Sequence, residues 1–310
     1  MYETFPPLVV LSVLLLLLAT LGAGGFLWFD GRRFVVPSTA ARRAIRHARV
    51  TTAVATVPFV VGLGLPLFGA LGSARVPPPF LLASLPLALL VGVLVINGIG
   101  EMTWPRPQGA TRQATLTART AADVSPSALR HMIWGWAGAT VVAAIAFALV
   151  ASGPRRVSRV IDQHDAFTVG SFPGVLWTGP VVAVMLVVLV LCEMVLRLVA
   201  SRPAVPDVSE EWDMWLRRRV ARRLLRIVQL MIGLTLGGLV ALAGLALRTL
   251  GLGNGSGVYA PPPSTVHVVA GNSLLVLALA LLLVAVATAV WPASDPAPDV
   301  EPVRPVGATS

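Results

Sequence analysis

Two carboxylates, Glu101 and Glu193, stand beside long apolar runs, where an ionisable group is the usual pointer to transport or a proton relay. Arg197 follows Glu193 by four residues, a spacing that puts both on one helix face. Both acids fall near the ends of their runs, where an arginine can extend its head to water. Glu193 and Arg197 therefore read as an interfacial ion pair rather than a relay. Glu101, Asn97 and Asn272 are the candidate intramembrane polar residues, and Gln229 and Ser273 lie in similar surroundings. Groups of this kind chiefly hydrogen-bond between helices.

Nothing else is spaced for catalysis. His47, His131, His164 and His267 are scattered, without the intervals that hold a metal. Cys192 is the sole cysteine and lies within an apolar run, so it offers neither a disulfide nor a thiolate site. There is no phosphate-cradling glycine loop, nucleophile elbow or carboxylate dyad. The sequence thus predicts no catalytic residue, no cofactor and no metal, and it reads as non-enzymatic.

The elements that position these residues are membrane spans. Of 310 residues, 56% are hydrophobic and only 12% charged, against about 25% charged in a soluble domain. Several runs exceed the 18 or so apolar residues needed to cross about 30 Å of hydrocarbon. The fold class is all-α: a polytopic membrane bundle in a single domain over 1–292. Seven transmembrane helices are expected at about 8–29, 51–71, 80–100, 132–151, 175–199, 227–247 and 266–291, followed by a disordered cytoplasmic tail over 293–310. Ser38 or Thr39, Ser125-Pro126 and Ser209 supply helix-start signals.

The net charge of +10 comes wholly from arginine, since the chain has no lysine. A retinal pump, which needs a lysine Schiff base, is excluded. With the N-terminus outside, 19 of the 24 arginines fall in inner segments. That asymmetry predicts an N-out, C-in protein of the bacterial inner membrane. The arginines belong to topology, so no nucleic acid partner is expected.

Three starts, Val36-Pro-Ser38, Val124-Ser-Pro126 and Val208-Ser-Glu210, each open an out-and-back pair of spans. The chain parses as one leading helix plus three two-helix hairpin repeats, although apolar helices joined by proline-rich turns also resemble each other without duplication. Gly233, Gly237 and Ala241 form a small-residue stripe for helix packing, within the chain or in a homodimer.

Asp207 to Arg226 is the most charge-patterned segment. Acids come first and six arginines follow, which suits a helix dipole. The reading is a helix lying along the bilayer, with Trp212 and Trp215 at headgroup level, turning into the sixth span near Arg226. Arg217, Arg218, Arg219, Arg222 and Arg223 are its candidate contacts with anionic lipid; the alternative is that they only fix topology.

The third expected span leaves the membrane through Gly100-Glu-Met-Thr-Trp-Pro-Arg-Pro107. Trp104 prefers a membrane–water boundary, and Pro105 and Pro107 stop the helix. This stretch resembles a Gly-Glu-Leu-Thr-Trp-Pro-Arg-Pro-type motif in uncharacterised actinobacterial multi-pass integral membrane proteins. The resemblance is confined to that exit and implies no activity. The functional expectation is a membrane-embedded partner or accessory subunit, working with the lipid bilayer and another membrane protein or a second copy. The alternative is a small permease or exporter with a pathway between the hairpins.

Overall fold

The computed structural model describes residues 38–71, 79–105, 119–163, 165–253 and 261–290. The expected first span, 8–29, and the tail, 293–310, lie outside the described residues. The chain is mostly helical. The described helices are α1 (Thr39–Leu71), α2 (Pro79–Met102), α3 (Ala121–Val124), α4 (Ser127–Val150), α5 (Val175–Ser201), α6 (Glu210–Leu252) and α7 (Thr265–Val290). Five of them, α2, α4, α5, α6 and α7, are long and apolar enough to cross a membrane. The expected span over 51–71 falls in the second half of α1.

The expected outer loop after α4 is not wholly irregular. Val157–Val160 (β1) and Ala166–Val169 (β2) form an antiparallel hairpin, with Val157 opposite Val169 and Val160 opposite Ala166. Val157 turns inward and is buried. Asp162 folds the tip, its carboxylate accepting from the Gln163 amide at 2.7 Å. Among the described residues, the helices are thus accompanied by one small sheet.

α6 is the central pillar, in contact with α2, α4, α5 and α7. Every residue from Val228 to Gly237 is buried. Its seam with α7 is lined by small side chains. The buried residues of α7 are Gly271, Ala278, Ala285 and Ala289. The first three recur every seven residues, the spacing that keeps one seam facing a neighbour. A methyl on Gly271 would lie 2.7 Å from the Gly244 carbonyl, and one on Gly244 would lie 2.9 Å from the Gly271 carbonyl. The two backbones meet where neither residue has a side chain. Gly233 faces Ala285 and Gly237 faces Leu282 and Ala278 in the same way, so the two glycines of the predicted stripe pack within the chain.

Two local expectations are corrected. Ser125 does not cap α4: its hydroxyl donates back to the Ala121 carbonyl at 2.5 Å, and α4 begins only at Ser127. The hydroxyl found a nearer acceptor in the short α3. The segment 207–226 does not lie apart from the sixth span either. α6 is one helix of 43 residues, about 64 Å long at 1.5 Å per residue, roughly twice a hydrocarbon core. Ser209 caps it, accepting from the Trp212 amide at 3.3 Å.

Candidate functional site

One end of the bundle gathers the start of α1, the exit of α2, the end of α5 and the first turns of α6. Most of the buried ionic contacts of the described residues lie here. Arg217 organises them, and its guanidinium is almost wholly enclosed. Its Nε donates to Asp213 Oδ2 at 2.8 Å. Nη1 donates to the carbonyls of Val199 and Ala200 and Nη2 to that of Arg202, all at 2.8 Å. The last carbonyls of a helix have no partners of their own. Arg217, reaching back from α6, satisfies three at the end of α5 and sets a cation against the negative end of that helix dipole.

Asp213 is equally enclosed. Beside Arg217 it accepts from Arg119 Nη1 at 3.1 Å, and it lies 3.5 Å from the Val205 amide. Arg119 also pairs with Glu210 at 2.8 Å. The backbone just ahead of α3 is thereby tied to the start of α6. Just beyond, the backbone amide and hydroxyl of Thr120 donate to Asp123 and hold its carboxyl below the usual carboxylate range.

A second ionic contact joins α2 to the residue after α5. Arg202, its side chain fully covered, reaches Glu101 from Nη1 at 3.4 Å. Its guanidinium lies over the Trp104 ring, 3.9 Å from the centroid. Burial pushes this guanidinium below its ordinary pKa, and the Glu101 carboxylate pulls it partly back. His47 of α1 meets Trp104 edge-on and hydrogen-bonds the Gly100 carbonyl through Nε2 at 2.8 Å. Trp104, Trp212 and Trp215 share a small apolar core with Ala41, Ala44, Ile45, Val205 and Leu216. These tryptophans are enclosed by protein rather than open to the surface. Each is buried, because three elements converge there and the rings fill the space between them.

The sequence-based candidates fall into three groups. Glu193 and Arg197 pair at 3.2 Å, and Arg130 of α4 joins them at 3.2 Å, an inter-helix contact that spacing alone did not indicate. Asn97 bonds the Val93 carbonyl of its own helix, while Asn272 is exposed on α7. Gln229 is buried and spans to α7, donating to the Ala285 carbonyl and the Thr288 hydroxyl.

Among the proposed lipid contacts, Arg217 is corrected: its donors all face protein acceptors, so no edge is left for a headgroup. Arg218 is exposed and its Nε points to the Asp123 carbonyl at 3.4 Å. Arg219 lies over Trp215 at 4.9 Å, and Arg222 and Arg223 are half-buried.

Arg119 and Arg202 were not singled out from the sequence. Arg202 carried one usable signal, since it precedes Pro203 at a helix end much as Arg106 precedes Pro107. Among the described residues no cluster of three or more His, Cys, Asp or Glu could hold a metal. No family model, curated protein or solved structure matches the chain.

Proposed function

We propose that the chain is a non-enzymatic, membrane-embedded partner or accessory subunit, built as a rigid bundle on α6. The observation that carries this reading is where the buried charge goes. Arg217, Asp213, Arg202 and Glu101 join the ends of helices to one another. The middle of α6 is enclosed on all sides by apolar and small residues. A structure of this kind presents fixed surfaces and has little reason to move.

In full, the reading has seven spans, adding 8–29 and 51–71 to the five apolar helices, arranged as a leading helix and three hairpins. Contacts within each successive pair (α1 with α2, α4 with α5, α6 with α7) support that arrangement. The ionic end is cytoplasmic, because the arginine-rich segments meet there, and the β-hairpin faces outward. The exit motif's likeness to actinobacterial membrane proteins suggests a bacterial inner membrane. Arg42, Arg43 and Arg46 are exposed on α1, and Arg218 is exposed on α6. They offer a basic face for anionic lipid headgroups or for the acidic surface of a neighbouring membrane protein.

A photo-crosslinking residue at position 46, introduced in cells, tests the reading. The expected product is a discrete adduct with another membrane protein or a second copy of this chain. Adducts with lipid alone contradict an accessory role.

A further inference from the structure

α7 joins the bundle through one face, with Gly271, Ala278 and Ala285 set against α6. It is the least enclosed of the five apolar helices: 17% of its apolar window is buried, against 33% or more in the others. On the open side Val269, Asn272, Val276, Leu279 and Leu283 are exposed, and they follow one another by three and four residues in turn. That alternation is the spacing of a left-handed seam between two helices.

Asn272 separates this face from one that merely meets lipid. The exposed residues Val142, Ile145 and Leu149 of α4, and Leu186, Val187 and Val190 of α5, are apolar. Asn272 presents an amide instead, and Ser273 beside it a hydroxyl, both exposed. Asn97 of α2 satisfies its amide on the Val93 carbonyl of its own helix at 2.8 Å. Asn272 has no partner among the described residues. With 26 residues, α7 is about 39 Å long, and Asn272 stands about 8 Å from its midpoint. Centred in a bilayer, that position falls inside the half-thickness of about 15 Å of a hydrocarbon core. No water is there to bond the amide, and the side chain is too short to extend to a headgroup.

We propose that this face of α7 docks a second copy of the chain. Copies inserted the same way bring their α7 helices together in parallel, so a twofold axis along the membrane normal sets each residue opposite its own counterpart. An amide suits that symmetry, because each Asn272 donates an N–H to the oxygen of the other. A different partner would have to supply a polar group at that same depth. Val276, Leu279 and Leu283 pack together toward the C-terminal end of α7. Ser273, Ala280 and Ala287, exposed beside the seam, are small enough to let the backbones approach. The proposal rests on the membrane-embedded reading above and narrows its partner to one.

The test is disulfide trapping of the full chain in the membranes of expressing cells, with Cys192 replaced. Val276→Cys should yield a covalent dimer under mild oxidation, whereas Val187→Cys, also exposed but on α5, should not. Energy transfer between labelled copies in liposomes then measures association directly. Asn272→Leu should weaken it about tenfold, through the loss of one interhelical polar pair. Ala280→Phe, which obstructs the seam, should abolish it. Both positions are exposed in the single copy, so neither change unfolds it. The absence of a dimer at 276, equal dimers at 276 and 187, or association unchanged in Asn272→Leu overturns the proposal. So does a photo-crosslinker at 276 that captures a different membrane protein, an outcome that leaves the accessory role itself standing.

Discussion

An Arg217→Met variant should unfold in detergent at much lower denaturant concentration than the parent, with a loss of about 3–5 kcal/mol. The volume is nearly kept, so the loss is not a cavity effect. Removing the guanidinium strands the Val199, Ala200 and Arg202 carbonyls and leaves Asp213 enclosed with Arg119 as its remaining cation. That is a large share of the roughly 5–15 kcal/mol by which folded chains usually exceed unfolded ones. Arg217→Lys should rescue little, because one ammonium cannot reach three carbonyls and a carboxylate together. Arg218→Met, at an exposed site, should stay within about 0.5 kcal/mol of the parent. Equal stability for the 217 and 218 variants would remove Arg217 from the centre of this account.

Gly271→Ala should be the most damaging single methyl that can be added to α7. The new carbon would meet the Arg248 amide nitrogen at 2.6 Å and the Gly244 carbonyl at 2.7 Å, both backbone atoms that cannot rotate away. The helices must part, at a cost of about 1–3 kcal/mol. Gly238→Ala supplies the contrast: nothing lies within 4 Å of its added carbon, so α6 should tolerate it, with at most a small gain from helix propensity. Denaturant titration of the two variants separates close packing from a general intolerance of substitution. A similar fall in both would mean that the seam is not the limiting contact.

Much of the architecture was legible because hydrophobic length is a direct physical signal. α2, α5 and α7 begin within a residue of the expected spans at 80–100, 175–199 and 266–291, and α4 only a few residues early. The Ser209 cap and the Glu193–Arg197 spacing were legible for the same reason: each is a local relation along one helix. What could not be read were relations across the fold. A guanidinium that binds backbone carbonyls 15–18 residues away leaves no pattern of residue types, so Arg217 resembled its neighbours Arg218 and Arg219. That the tryptophans of α6 are buried could not be read either, because amphipathic composition is shared by a surface helix and one packed against α1 and the α2 exit. The β-hairpin is four residues per strand, too short for alternation to stand out against a polar loop.

The central claim is that the described bundle holds one arrangement, fixed by the α6–α7 seam and the ionic end. Pulsed electron resonance between spin labels at Leu149, ending α4, and Val266, starting α7, tests it most directly. Both sites are exposed, and the buried Cys192 can be replaced beforehand. The account predicts a single narrow distance distribution, the same in detergent and in lipid discs. Two resolved populations whose ratio shifts between those conditions would contradict it and return the permease reading to first place.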